Sequence, residues 1–150
     1  MTASRPSHLR WGSIALVGLG GTVGTLARET ISLLVPSFGA FSIAIPLINL
    51  AGAFLLGFLY EALTRVSPRE PRATRLRLLL GTGFCGGFTT YSALATDAAV
   101  LNSSGNLVLA VAILASTVVF GAVATWLGIA VGARVSRPRP SAPSAGTAAP

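Results

Sequence analysis

Lysine is absent from this 150-residue chain, and Glu29, Glu61, Glu70 and Asp97 are its only acids. Charged residues make up 10% of the sequence, against about 25% in an ordinary soluble domain, so the chain lacks the polar surface a soluble fold needs. Cys85 is the only cysteine, which excludes an intramolecular disulfide. It lies in an apolar stretch and reads as a small packed side chain. His8, the only histidine, stands in the polar N-terminal segment without a metal-binding companion. No Ser-His-Asp set, Cys-His pair or phosphate-binding loop can be assembled, so the sequence does not read as an enzyme. No carboxylate lies midway in an apolar run, which argues against proton-coupled transport, a process that needs a titratable group inside the bundle.

What remains is long apolar runs. Mean hydropathy is +0.73 and 52% of residues are hydrophobic. Residues 1–10 are polar. Apolar blocks then cover about 11–35 (interrupted by Arg28 and Glu29), 41–63, 76–101 and 107–133, each near or above the roughly 20 residues that cross a bilayer as a helix. The first has no small-residue cleavage site before a polar domain and reads as a retained span rather than a signal peptide. Pro36 and Gly39, the 64–75 loop with Pro68 and Pro71, and the turn 102–106 separate the blocks. Residues 136–150 are rich in Pro, Ser and Ala and are expected to be disordered. The expectation is an all-α membrane protein with four transmembrane helices in a channel domain at 11–135. Gly20 and Gly24, Gly83 and Gly87, and Gly128 and Gly132 stand four apart, a spacing that lets helix backbones approach closely in lipid.

The arginines are unevenly placed. With four spans, Arg5, Arg10, Arg65, Arg69, Arg72, Arg75, Arg77, Arg134, Arg137 and Arg139 share one side, and Arg28 alone marks the other. The positive-inside rule puts both termini in the cytoplasm of a multi-pass protein of the cell membrane. Membrane flanking accounts for the net charge of +7, and no basic groove with interleaved aromatics points to nucleic acid.

Polar residues inside the blocks are costly and each needs a reason. Asn49 stands roughly 12 Å into the second block at 1.5 Å per residue. It suits either a helix–helix hydrogen bond or an amide donor facing an anion path. The segment Gly81-Thr82-Gly83-Phe84-Cys85-Gly86-Gly87-Phe88-Thr89-Thr90-Tyr91-Ser92 is poor material for an uninterrupted helix. A break in the third span is expected, since irregular backbone at membrane depth survives where it is buried or lines a polar path, and freed carbonyls there can bind a cation. Arg28 beside Glu29 suits interfacial pairing or an electropositive vestibule. Glu61 and Asp97 fall near span ends and read as interfacial.

Three motifs, in order, resemble the Fluc (CrcB) family of fluoride channels. Gly20-Gly21-Thr22-Val23-Gly24-Thr25-Leu26-Ala27-Arg28 is similar to that family's first-span pattern, residues 49–57 to its Asn-x-x-Gly-x-Phe pattern, and residues 81–92 to its glycine-rich signature. The resemblance covers about 12–132. It implies antiparallel dimers of four-span subunits that conduct fluoride past polar side chains and aromatic ring edges, whose positive quadrupole edge stabilises a small anion. By resemblance, Asn49 donates its amide to fluoride, Tyr91 holds the first pore-aromatic position, and Thr90 and Ser92 supply hydroxyls. Carbonyls of Gly86 and Thr89 hold a structural sodium ion, and Arg28 serves the vestibule or the fold. The family usually reads Thr-Thr-Phe-Ser-Thr-Phe where this chain reads Thr89-Thr90-Tyr91-Ser92-Ala93-Leu94, so Leu94 loses the second aromatic. Because the arginine bias forbids insertion both ways, the expected partner in the bilayer is a paralogous subunit of inverted charge bias, antiparallel to this one. A small multidrug transporter would want an acid in the first span, and residues 12–27 contain none. A non-conducting assembly subunit is the other alternative, kept open by Leu94.

Overall fold

The computed structural model describes residues 11–38, 41–64 and 70–135, which are almost entirely helical. The N-terminal segment 1–10 and the tail 136–150, where disorder is expected, lie outside the described residues. Helix α1 (Trp11–Leu34) stops two residues before Pro36, as the steric demand of proline on its predecessor dictates. A short antiparallel hairpin follows, β1 (Ser37–Phe38) and β2 (Phe41–Ser42), with Ser37 opposite Ser42 and Phe38 opposite Phe41. It leads into α2 (Ala44–Thr64). Pro71, at a first-turn position where its missing N–H costs nothing, opens α3 (Pro71–Leu76). The backbone continues as a π-helix over Arg77–Phe84 and then as α4 (Cys85–Phe88). Thr89 and Thr90 are extended, and α5 (Tyr91–Ser103) follows. Gly105, at φ +80°, closes α5 in the left-handed conformation that favours glycine, and α6 (Leu107–Val135) completes the chain.

Two of these helices, α2 and α6, are long and apolar enough to cross a membrane. At 1.5 Å per residue they measure roughly 31 and 43 Å. Their large side chains face outward: Val108 is 84% exposed, Trp126 66% and Leu47 53%. The interior is built largely from small residues, and Gly20, Gly24, Gly52, Gly57, Gly83, Gly128 and Gly132 are buried. This reverses the usual arrangement in water, where large apolar side chains fill the core. An exposed apolar sheath around a small-residue seam is stable where lipid covers the outside and close backbone contact holds the inside.

The glycines show how the helices run. A Cβ on Gly128 would sit 2.1 Å from the Phe54 carbonyl oxygen, and one on Gly132 would lie 2.9 Å from that of Phe58, so α6 runs alongside α2 in the same direction. Likewise Gly83 meets Val17 and Gly20, and Gly24 meets Phe84 and Phe88, so α1 runs parallel to the π-helix and α4. The Arg77 guanidinium donates to the Leu63 carbonyl near the C-terminus of α2, where helix carbonyls lack partners. One end of the bundle therefore carries the start of α1, the end of α2, α3 and the end of α6. At the opposite end the Ser42 N–H donates to Asp97 Oδ2 at 3.5 Å. Arg72, Arg75, Arg77 and Arg134 stand at the first end and Arg28 at the second.

The apolar cluster at the second end joins Ala44, Ile48 and Phe88, with Ala27, Ile31, Val35 and Phe84 packed against it. Phe84 and Phe88 stack with ring centroids 5.4 Å apart. This cluster fixes α4 against α2, and it positions the segment that follows.

Candidate functional site

Helix α4 ends at Phe88, and what happens next is decided by one side chain on α2. The Asn49 amide pairs with the Thr90 backbone at two points: Nδ2 donates to the Thr90 carbonyl at 2.9 Å, and the Thr90 N–H donates to Asn49 Oδ1 at 2.8 Å. Side-chain amide and peptide face each other like neighbouring strands, with both polar groups of Thr90 engaged. The Thr90 hydroxyl then caps α5, accepting from the Ala93 N–H at 3.3 Å and lying 3.2 Å from Ser92 Oγ.

These bonds have a consequence for two carbonyls upstream. In a continuous helix the Gly86 carbonyl would accept from the Thr90 N–H and the Thr89 carbonyl from the Ala93 N–H. Asn49 takes the first donor and the Thr90 hydroxyl takes the second. Neither carbonyl oxygen receives a hydrogen bond among the described residues. No three His, Cys, Asp or Glu side chains come together among the described residues either, so a cation here would rest on carbonyl oxygens. Two unpartnered backbone oxygens suit a hard cation such as sodium, so the residues present fit the ion that the resemblance implies.

A cavity of about 860 Å3 opens beside this segment, lined among others by Asn49, Gly86, Thr89, Thr90, Tyr91 and Leu94. Asn49 Nδ2 carries a second N–H, and no acceptor for it stands among the described residues. Tyr91 is 77% exposed at the first position of α5, whereas Leu94, one turn on, is buried at 4%. Ser92 is exposed at the surface of α5. The structure thus gathers Asn49, Gly86, Thr89, Thr90, Tyr91 and Leu94 on one cavity. It leaves Arg28 apart, at the far end of α1, with Nη2 3.2 Å from Glu29 Oε1 and Nε buried without a hydrogen-bond partner.

Two polar lining residues escape a sequence reading. Thr117 and Thr125 of α6 face the cavity eight residues apart, each hydroxyl donating to the carbonyl four residues back, at 2.8 and 2.9 Å. They were legible only as rare hydroxyls in an apolar run. Gly52 also lines the cavity. A Cβ there would lie 2.2 Å from Thr89 Cγ2, and Thr89 is held by its own hydroxyl, which donates to the Cys85 carbonyl at 2.9 Å. Gly52→Ala is therefore expected to destabilise the protein by about 1–3 kcal/mol through overpacking. Thr89→Ser, which removes the opposing methyl, is expected to recover most of that loss in a double-mutant cycle read by unfolding in detergent. For the cap, Thr90→Val is expected to cost about 1 kcal/mol and Thr90→Ser much less, in the same assay.

An apolar-sheathed helical bundle with a polar, backbone-rich seam beside a cavity defines a membrane protein whose site lies inside the bundle. Comparison with known proteins makes this specific: residues 15–129 match the model of the family described as CrcB-like protein, Camphor Resistance (CrcB). The chain belongs to the CrcB family. It is 42% identical over 133 residues to a protein of Leifsonia xyli subsp. xyli named fluoride-specific ion channel FluC 2, covering 89% of this chain and 92% of that one. It is 42% identical over 118 residues to the fluoride-specific ion channel FluC of Chlorobium luteolum, covering 78% and 89% respectively. It is 40% identical over 123 residues to fluoride-specific ion channel FluC 1 of Cutibacterium acnes, covering 78% and 82%.

Proposed function

We propose that this chain is a subunit of a fluoride-selective channel that lets cytoplasmic fluoride leave the cell passively. The observation that carries the reading is the Asn49–Thr90 pairing beside the cavity, in a chain of this family. It opens the third of four spans at Thr89–Thr90 and leaves an amide N–H as a donor in a region otherwise sheathed in apolar side chains. A donor of that kind replaces part of the hydration a small anion sheds, without the tight hold that a cationic side chain would impose. Thr90, Ser92 and the Tyr91 ring continue the path.

The Gly86 and Thr89 carbonyls hold a structural sodium ion, whose charge would satisfy the two oxygens that the redirected N–H groups leave without partners. Arg28, at the opposite end from the other described arginines, serves the vestibule or the fold. Both termini lie in the cytoplasm. The partner is an antiparallel, paralogous subunit of inverted charge bias, which supplies the pore aromatic that Leu94 does not. Conduction of this kind is not catalysis and needs no energy source.

The test is fluoride release from liposomes, followed with a fluoride electrode, with chloride release as the control. The chain is reconstituted alone and together with a co-expressed paralogue. Fluoride release without chloride release from the pair is the expected result. Equal release from this chain alone would sink the heterodimer. No release from either preparation would sink conduction and leave a structural role in the membrane.

A further inference from the structure

The geometry points to a binding site for the headgroup of an anionic phospholipid on α3, gripped by Arg72 and Arg75. This rests on the reading of the chain as membrane-embedded, and on no particular transported ion. Ala73 is the buried residue of α3, and Arg72, Thr74, Arg75 and Leu76 are exposed. Arg72 and Arg75, three apart on one helix, place their Cβ atoms roughly 5–6 Å from each other. Two planar guanidinium groups at that spacing can each offer a pair of N–H donors to one phosphodiester.

Neither guanidinium has a hydrogen bond or ion pair among the described residues. In that they differ from Arg77, committed to the Leu63 carbonyl, and Arg28, paired with Glu29. Glu70 is the acid on the same segment; it is exposed and leaves the pair in excess. Aromatic side chains set the depth. Trp11, 78% exposed at the start of α1, and Tyr60, 66% exposed in the last turns of α2, stand at the same end of the bundle. Such amphipathic rings sit at headgroup level, where lipid phosphates lie. The occupant is therefore a lipid with a net negative headgroup, its chains against the apolar sheath and its phosphate on α3.

Trp11 and Trp126 are the two tryptophans of the chain, so Trp126→Phe leaves Trp11 as the only such fluorophore. That full-length variant is reconstituted in phosphatidylcholine vesicles containing phosphatidylglycerol, with brominated chains on either the anionic or the zwitterionic lipid at equal mole fraction. Brominated phosphatidylglycerol is expected to quench Trp11 about twofold more than brominated phosphatidylcholine, reflecting local enrichment. The excess is expected to vanish when Arg72→Gln and Arg75→Gln are added, and to survive millimolar inorganic phosphate. Equal quenching in the parent, or an excess that persists in the double variant, overturns the proposal. Loss of the excess to free phosphate overturns it too, by showing an ion site rather than a lipid site. Absence of quenching by either lipid would refute the membrane placement itself.

Discussion

Replacing Asn49 with alanine is expected to lower fluoride efflux through the proposed channel by about 30-fold, because it removes about 2 kcal/mol of hydrogen bonding beside the cavity. The loss has two sources. The Thr90 N–H and carbonyl lose the partners they have at 2.8 and 2.9 Å, and the cavity loses its free amide donor. Aspartate separates them. Asn49→Asp keeps an acceptor for the Thr90 N–H but offers no N–H to the Thr90 carbonyl or to an anion, and it adds a negative charge to an anion path. Its efflux is expected to fall at least as far as that of the alanine variant, while its folded yield stays closer to the parent. Efflux from co-reconstituted liposomes, set beside thermal unfolding in detergent, reads both. Unchanged efflux in Asn49→Ala would show that the amide is a structural brace alone.

The second large effect is expected in the α2–α6 seam. Gly128→Ala puts a methyl 2.1 Å from the Phe54 carbonyl oxygen and 2.8 Å from the Phe58 nitrogen. Both are backbone atoms of a helix and cannot rotate away, so the helices must part. Separation forfeits the dispersion contacts that hold helices together in lipid, where no hydrophobic driving force acts between them. A cost of about 3 kcal/mol is expected from overpacking of this kind. Gly121→Ala, on the same helix, meets nothing within 4 Å. It is expected to be neutral or to stabilise by up to about 1 kcal/mol, since alanine is the better helix former. Unfolding in detergent–denaturant mixtures, with both variants side by side, tests the contrast. Equal behaviour of the two would show that the seam does not depend on backbone contact.

The sequence by itself determined the solvent and the division into apolar helices. Scarce charge and long apolar runs leave lipid as the only medium that can cover Val108 or Trp126, and the described arginines stand at the two ends of the bundle because charge is excluded from the apolar stretches between. Spacing also marked Gly128 and Gly132, and Gly20 and Gly24, as contact positions, since residues four apart share a helix face. The same logic could not name their partners. That Gly128 meets Phe54 while Gly24 meets Phe84 depends on which helices lie side by side, and the apolar faces are too alike to choose between. Glycine content flagged residues 81–92 as poor helix. The π-helix over Arg77–Phe84 and the extended pair at Thr89 and Thr90 appear only in the tertiary structure, where Asn49 bonds the Thr90 backbone. A side chain 41 positions away redirects the Thr90 N–H, and a hydrogen bond of that range leaves no local trace in the sequence. Leu94 belongs to the same category: its identity announces a missing aromatic, but its burial against the cavity was decided by how α5 leaves the Thr90 cap. Periodicity and composition act along the chain and are legible there. The donors and acceptors of the site act across it, and only the packed bundle brings them together.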